Sequence, residues 1–487
     1  MFRNRSRLGC LSMALVVALA AAIAHGFPSV YPTGTTIYNP DKAWNGYTIY
    51  PSPEAQGAVL IDMNGNLLRR FKDVPGSPVR ILPGGYIMGG GAMGGGGMGG
   101  GMGGGAMGGG MGGGAMGGGM GGGGASALVQ LDWEGNEVWR FDKTEQVEGP
   151  GGSTVWSSRH HHDFQREGSP AGYYAPGSEP SPMSGRTLIL SHKNVLRPEI
   201  SERRLEDDYI LEVSWDGEVL WDWLASDHVD ELGFSAAARD AIRRSSPGGQ
   251  GGQDFDWLHL NSLSYLGPNR WYDDGDERFH PDNVIFSSRH ANIVAIVARS
   301  GEIVWRMGPD FRETEALREI GQVIGQHHPH IIPKGLPGAG NLMVFDNGGG
   351  AGYGEPNPAA PNGRSIVERY SSRVLEIDPV TMEKVWEYSI QGHGRFHFFS
   401  HNVSMAQRLP NGNTLITEGA AGRAFEVTVD HEIVWEYINP YFYESDETRN
   451  NFYRAYRVPY DWIPQLTPPE ERPVVPPHPS EFRIEPQ

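Results

Sequence analysis

YILEVSWDGEVLWDW (209–223) is an alternating apolar run, a turn at Asp216-Gly217, and a second alternating run carrying Trp221. Period-2 alternation around a tight turn reads as a β-hairpin. The pattern recurs as AVLIDMNGNLLRRF (58–71), ALVQLDWEGNEVWRF (127–141), NIVAIVARSGEIVWRM (292–307), RVLEIDPVTMEKVWEY (373–388) and AFEVTVDHEIVWEY (424–437). Five of these six copies put Trp at one point: Trp139, Trp221, Trp305, Trp386 and Trp435. A hairpin repeated six times predicts an all-β, six-bladed β-propeller with one copy per blade.

The segments between the hairpins also repeat. RHHHDFQREG…GRTLILSHKN (159–194), DWLHLNSLSYLGPN…NVIFSSRHAN (256–292), QHHPHIIPKGLPGAGNLMVFDNG (326–348) and SHNVSMAQRLPNGNTLITEG (400–419) each run from a His-bearing strand through a turn to an apolar strand. A shorter counterpart without His is RILPGGYIMGG (80–90). These read as the inner two strands of four-stranded blades, with the Trp hairpins outside. For the first blade the expected inner pair is TTIYNP and YTIYPSP (35–53), and the segment after Pro440 reads as a surface wrap. The propeller is expected over 27–460, followed by a Pro-rich tail over 461–487.

Composition narrows the function. The 487-residue chain carries a net charge of −18, and no basic stripe offsets it, which argues against nucleic acid as a partner. Residues 1–26 combine Arg3, Arg5 and Arg7 with an apolar stretch from Leu11 to Ile23, followed by small residues. The stretch is too short for a bilayer span, so a cleaved signal peptide is expected, with a periplasmic or secreted product and no membrane association after cleavage. Cys10, the only cysteine, falls inside that segment. The mature chain then has neither disulfide nor thiol nucleophile. Residues 89–124 are Gly with Met and Ala, which cannot bury enough apolar area to fold and read as a flexible insertion in one blade. A Cu(I)-thioether role for these methionines is the alternative. A short helix is expected within 234–245.

In a propeller the innermost strands line a central channel. Four of them open with His162, His259, His328 and His401, and His161, His327 and His330 stand beside these. The return strands end in His192, in Arg289 with His290, in Asp346 with Asn347, and in Glu418. A ring of imidazoles with Arg and amide donors suits anion binding, nucleophilic catalysis by histidine, or metal binding.

These segments resemble the bacterial arylsulfate sulfotransferase family over most of residues 35–460. The most specific pieces are Asp256-Trp257-Leu258-His259-Leu260-Asn261-Ser262, Ser288-Arg289-His290, Gln326-His327-His328-Pro329-His330, Phe345-Asp346-Asn347-Gly348 and Leu409-Pro410-Asn411-Gly412-Asn413. The resemblance implies a six-bladed propeller enzyme that moves sulfuryl groups from aryl sulfates to phenols through a sulfohistidine, without a nucleotide sulfate donor. It is compatible with the absence of any Gly-rich phosphate loop before a helix. It implies no cofactor and no metal, since a nucleophilic imidazole cannot also give its lone pair to zinc. Carried over by motif, His259 is the histidine of the DW-x-H-x-N pattern and His328 (or His327) the histidine after Gln. His401 is expected as the nucleophile, with His259 and His328 as further catalytic groups. Arg289, His290, His327, His330, Asn347 and His162 are expected to bind substrate. The chain departs from the family pattern after Gly348, where Gly349-Gly350-Ala351 replaces a sulfate-binding arginine. Arg289, Arg364, Arg395 and Arg423 are candidates for the missing charge. The disulfide and N-terminal β-domain of some members are also absent.

Two other functions share parts of the pattern. A quinone-dependent dehydrogenase propeller predicts eight near-equal blades and a Ca²⁺ site. A non-catalytic propeller, binding a metal through HHPH, predicts outward-facing histidines.

Overall fold

The computed structural model describes residues 32–52, 57–74, 78–92, 126–148, 154–245 and 254–476, apart from 445 and 447. The expected signal peptide, the Gly/Met segment from 93 to 125 and the end of the Pro-rich tail lie outside them. Among the described residues, six sheets of at least four strands follow one another along the chain as blades, with two small hairpins and a few short helices between them.

Blades 2 to 5 run from inner to outer strand in chain order, as the repeats require. Blade 3 is His160–Arg166, Thr187–Val195, Leu205–Val213 and Val219–Leu224. Blade 4 is Leu260–Tyr265, Val284–Ser288, Ile293–Val297 and Ile303–Met307. Blade 5 begins with His327–Ile331 and Leu342–Asp346, and blade 6 with Ser404–Arg408 and Thr414–Glu418. Pro329 is tolerated within the first strand of blade 5 because that strand is an edge, with no partner on its channel side.

The Trp position has one job throughout. Each indole Nε1–H donates to a carbonyl in the outer turn of the next blade: Trp139 to Trp215 (2.8 Å), Trp221 to Arg299 (3.0 Å), Trp305 to Pro379 (2.8 Å) and Trp386 to Val429 (2.9 Å). Trp435 donates to Met63 (2.9 Å), which joins the last blade to the first. In blade 1 the equivalent residue is Arg69, whose guanidinium lies 4.4 Å over the Trp133 ring in the turn of blade 2. The ring is thus closed by six related contacts: five indole hydrogen bonds, each adding roughly 0.5–1.5 kcal/mol, and one cation–π contact.

The ends of the propeller depart from the sequence reading. Gly34–Tyr38 is the fifth, outermost strand of blade 6, paired with Ile433–Ile438. The inner strand of blade 1 is Tyr456–Val458, paired with Tyr47–Pro51. The segment after Pro440 is therefore no surface wrap. Arg454 and Arg457, both fully buried, point to why: each has a carboxylate partner inside the ring, Asp163 and Glu426, both at 2.8 Å. The low-complexity stretch also begins later than its composition suggests, because Tyr86–Ala92 is a strand whose last residue pairs with Ser126. The expected helix is Ala236–Arg243, capped by Ser235.

Candidate active site

The inner strands of blades 3 to 6 share a backbone feature at their openings. His162 (φ 51°), His259 (φ 53°), His328 (φ 52°) and Val403 (φ 42°) all adopt the left-handed conformation. That conformation is uncommon outside glycine, and for a β-branched residue such as Val403 it is a true outlier. The kink turns consecutive side chains toward different levels of the channel, so neighbouring histidines end in different surroundings.

One level gathers His162, His259, His290, His327, Asn347 and Tyr453. The rings of His162 and His259 lie 4.6 Å apart, those of His259 and His290 4.7 Å, and Tyr453 stands against both His162 and His327. His259 Nδ1 is 2.5 Å from Asp256 Oδ2, which keeps a proton on Nδ1 and orients the ring. Burial opposes ionisation of Asp256, yet the attraction and hydrogen bond of His259 outweigh it and hold the carboxyl below its usual range. His290 donates from Nδ1 to the Asp256 carbonyl (3.2 Å).

His327 is oriented just as firmly. Asn347 gives its amide N–H to the Ser400 carbonyl (2.6 Å), so its Oδ1 accepts from His327 Nδ1 (2.8 Å) and Nε2 is the free nitrogen. Burial, Arg454 and Arg289 push the His327 pKa well below its ordinary value, so the ring is neutral at pH 7. Asp346 is structural: it holds Arg369 at 2.8 Å and Arg373 at 2.7 Å.

A second level holds His328 and His330 with Tyr173 and Tyr456. His328 sits between two carbonyls, Ala406 at 3.2 Å from Nδ1 and Ala171 at 3.2 Å from Nε2. His330 accepts from Tyr173 Oη (2.8 Å) and donates to the His328 carbonyl (2.9 Å). His327, rather than His328, therefore shares a level with His259. Between the blades, Asp163 binds Arg80 (2.7 Å) and Arg454 (2.8 Å) and accepts the Leu263 amide (3.2 Å).

His401 lies three residues before its strand, half-buried, and its ring has no hydrogen-bond partner among the described residues. Burial and the charge of Arg289 lower its pKa. Its carbonyl would lie 2.0 Å from a Cβ at residue 349, so only glycine fits after Asn347-Gly348. That close approach accounts for the missing arginine of the motif. Of the four candidate replacements, Arg423 is paired with Glu418 and Glu436, and Arg364 lies over the Phe255 and Tyr353 rings. Arg395 belongs to the short turn Gly392–His397. The Arg289 guanidinium has no hydrogen-bond or ion-pair partner among the described residues, and its charge acts on His290, His327 and His401. It is the cation best placed to meet an anion here.

Sequence reasoning gave no role to Asp256, Tyr453 or Asp163. An Asp three residues before a His was a usable signal for the first. Tyr453 had none, because it arrives from the closing strand segment. Among the described residues two sets of side chains could hold a metal, Asp256 with His259 and His290, and His161 with His192 and Asp208. Two shallow surface clefts, one lined by Asn64 and Arg472 and one by Glu277 and Arg299, contain none of the residues described here as the site.

No curated protein matches the sequence. Among solved structures, a Bacteroides caccae protein of unknown function is 10% identical with a TM-score of 0.41, covering 85% of this chain and 99% of its own. Virginiamycin B lyase from Staphylococcus aureus is 10% identical with a TM-score of 0.33, covering 84% and 86%. Kuenenia stuttgartiensis hydrazine synthase is 11% identical with a TM-score of 0.36, covering 90% and 48%. These values carry no functional argument. The family model described as Arylsulfotransferase (ASST) matches residues 181–453. With more than half of its residues inside that match, and six blades around the histidines, this chain belongs to the arylsulfotransferase family.

Proposed function

We propose that the protein moves a sulfuryl group from an aryl sulfate to a phenol by way of a sulfohistidine on His401, outside the cytoplasm and without a nucleotide donor. Family membership implies aryl sulfate and phenol substrates in general. The observation that carries the finer reading is the company kept by Arg289: a partnerless guanidinium acting on imidazoles from blades 4, 5 and 6.

The roles follow from the geometry. His401 has no hydrogen-bond partner and a lowered pKa, so its neutral nitrogen can attack sulfur. The S–O bond breaks, and its electron pair leaves on the phenolate oxygen. Arg289 offsets the charge on the sulfuryl oxygens without reorganising. The Asp256–His259 pair resembles other carboxylate-oriented imidazoles and suits the proton: it protonates the leaving phenolate, then takes the proton of the acceptor phenol. The acceptor oxygen attacks sulfur, the N–S bond breaks, and neutral His401 returns. His327, oriented by Asn347, takes the supporting position that the motif suggested for His328.

The other two functions lose ground. Six blades do not meet the eight expected of a quinone dehydrogenase, and the histidines of HHPH are buried rather than outward-facing. The test uses 4-nitrophenyl sulfate, quenched before any phenol is added, with peptide mapping of the protein. Sulfate on His401 is the expected result. Sulfate on His259 or His327 would reassign the nucleophile, and turnover only with both substrates bound would remove the sulfohistidine altogether.

A further inference from the structure

Next to His162, but apart from Arg289, the structure holds a cluster that the transfer reaction does not use. His161 and His192, from adjacent strands of blade 3, stack with centroids 3.6 Å apart and planes 12° apart. Both approach the same oxygen of Asp208 on the third strand: His161 Nε2 at 3.4 Å and His192 Nε2 at 3.8 Å from Oδ1. The three residues are 2%, 3% and 0% exposed. His161 Nε2 and both nitrogens of His192 have no hydrogen-bond partner among the described residues. Buried polar atoms are nearly always paired, so two bare Nε2 atoms facing one carboxylate oxygen call for an explanation; His192 Nδ1 instead faces Glu206 Oε1 at 3.5 Å.

A proton shared between Asp208 and one imidazole would satisfy one contact and still leave the other ring bare. A cation would satisfy both Nε2 atoms and leave His192 Nδ1–H facing Glu206. Geometry points the same way: both Nε2 atoms converge on one Asp208 oxygen that no Lys or Arg among the described residues pairs with. Arg159 pairs with Glu206 (2.9 Å) but makes no contact with Asp208.

We infer that His161 Nε2, His192 Nε2 and a carboxylate oxygen of Asp208 bind one divalent first-row transition-metal ion. Two imidazoles with one carboxylate suit Zn²⁺ or Fe²⁺. Ligand bonds of about 2.0–2.2 Å place neighbouring donor atoms about 3–3.5 Å apart, and the stacked rings must tilt open for both in-plane lone pairs to meet one ion. Binding at His161 Nε2 puts that ring's proton on Nδ1, 2.8 Å from His162 Nδ1. His162 then accepts there and carries its own proton on Nε2. The ion thus fixes the tautomer of a residue whose ring meets His259, without touching substrate. The inference stands apart from the sulfohistidine mechanism, because none of its ligands takes part in transfer.

The test is metal uptake by the intact protein, stripped with a chelator and dialysed against micromolar Zn²⁺. One equivalent per chain by mass spectrometry of the metal is expected, with a visible d–d band when Co²⁺ replaces zinc. Asp208→Asn, which keeps an acceptor for the Leu260 amide, and His192→Gln should each weaken uptake roughly tenfold or more. His290→Ala should leave uptake intact. Failure of the wild type to retain zinc would overturn the inference and assign the cluster a shared proton. Unchanged uptake in both ligand variants, or loss in His290→Ala, would place the ion elsewhere and overturn it equally. If neither ligand variant folds, the wild type decides: a cobalt band with a zinc-dependent rise in Tm supports the site, and absence of both refutes it.

Discussion

The outer and inner strands of a blade are built from the same repeat, yet they are held by different physics. Outside, one residue type makes one contact to the next blade, five times as Trp and once as Arg69 stacked on Trp133. Inside, the contacts are more varied, although Arg408–Glu376 and Arg457–Glu426 repeat one pairing. Asp163 joins two arginines, Asn347 orients His327, and Glu426 pairs with Arg457. The outer edge distributes stability over interchangeable units. The inner edge concentrates it in a few buried charges, and the reactive groups stand among them. The difference shows how a repeat fold can hold an irregular site: regular packing at the rim leaves the channel free to vary.

The contrast breaks first, if it breaks, at Asp163. Asp163→Ala strands the buried guanidiniums of Arg80 and Arg454 and should cost about 3–5 kcal/mol in denaturant melts, enough to prevent accumulation of folded protein. A cost below that of losing one Trp hydrogen bond would end the claim that the interior concentrates stability.

Activity should respond next. Asp256→Asn lets the His259 proton move to the wrong nitrogen and should lower kcat roughly 10²- to 10⁴-fold, with the thermal melt nearly unchanged. Arg289→Ala should lower kcat by roughly 10²- to 10³-fold, because its guanidinium has no hydrogen-bond or ion-pair partner among the described residues and acts on His327 and His401. Steady-state rates with 4-nitrophenyl sulfate check both, and near-wild-type turnover in either would detach the site from the inner ring.

Acid sharpens the comparison. His160 and His330 are buried, which pulls both pKa values down to about 4. Unfolded, each titrates near 6.5. The unfolded chain therefore binds more protons than the native one below that value. Their contribution is complete above about pH 6.5 and falls by up to about 1.4 kcal/mol per pH unit for each as pH drops toward 4. Melts at stepped pH should show the decline, and a flat profile over that range would contradict the burial.

The smallest effect belongs to the rim. Trp305→Phe removes one donor, leaves the ring packed, and should cost roughly 0.5–1.5 kcal/mol without changing kcat. Its stability should follow the wild-type pH curve at a constant offset, because the indole contact has no titratable partner.

Blade number, the outer position of the Trp strands and the gathering of histidines into one channel were legible in the chain. All three rest on local information: period-2 alternation, turn residues and a repeat that counts itself. Which strands close the ring was not legible. Gly34–Tyr38 and Tyr456–Val458 are too short to announce their partners, and each pairs with a strand far away in sequence. Nor could the sequence separate His327 from His328, since adjacent residues in QHHPH differ only in the level to which a left-handed residue turns them. Tyr453, Arg454 and the isolation of Arg289 were likewise decided by closure, which brings the last strand into the channel beside residues from four other blades. Local pattern fixes what each blade is; only packing around the ring fixes what each blade faces.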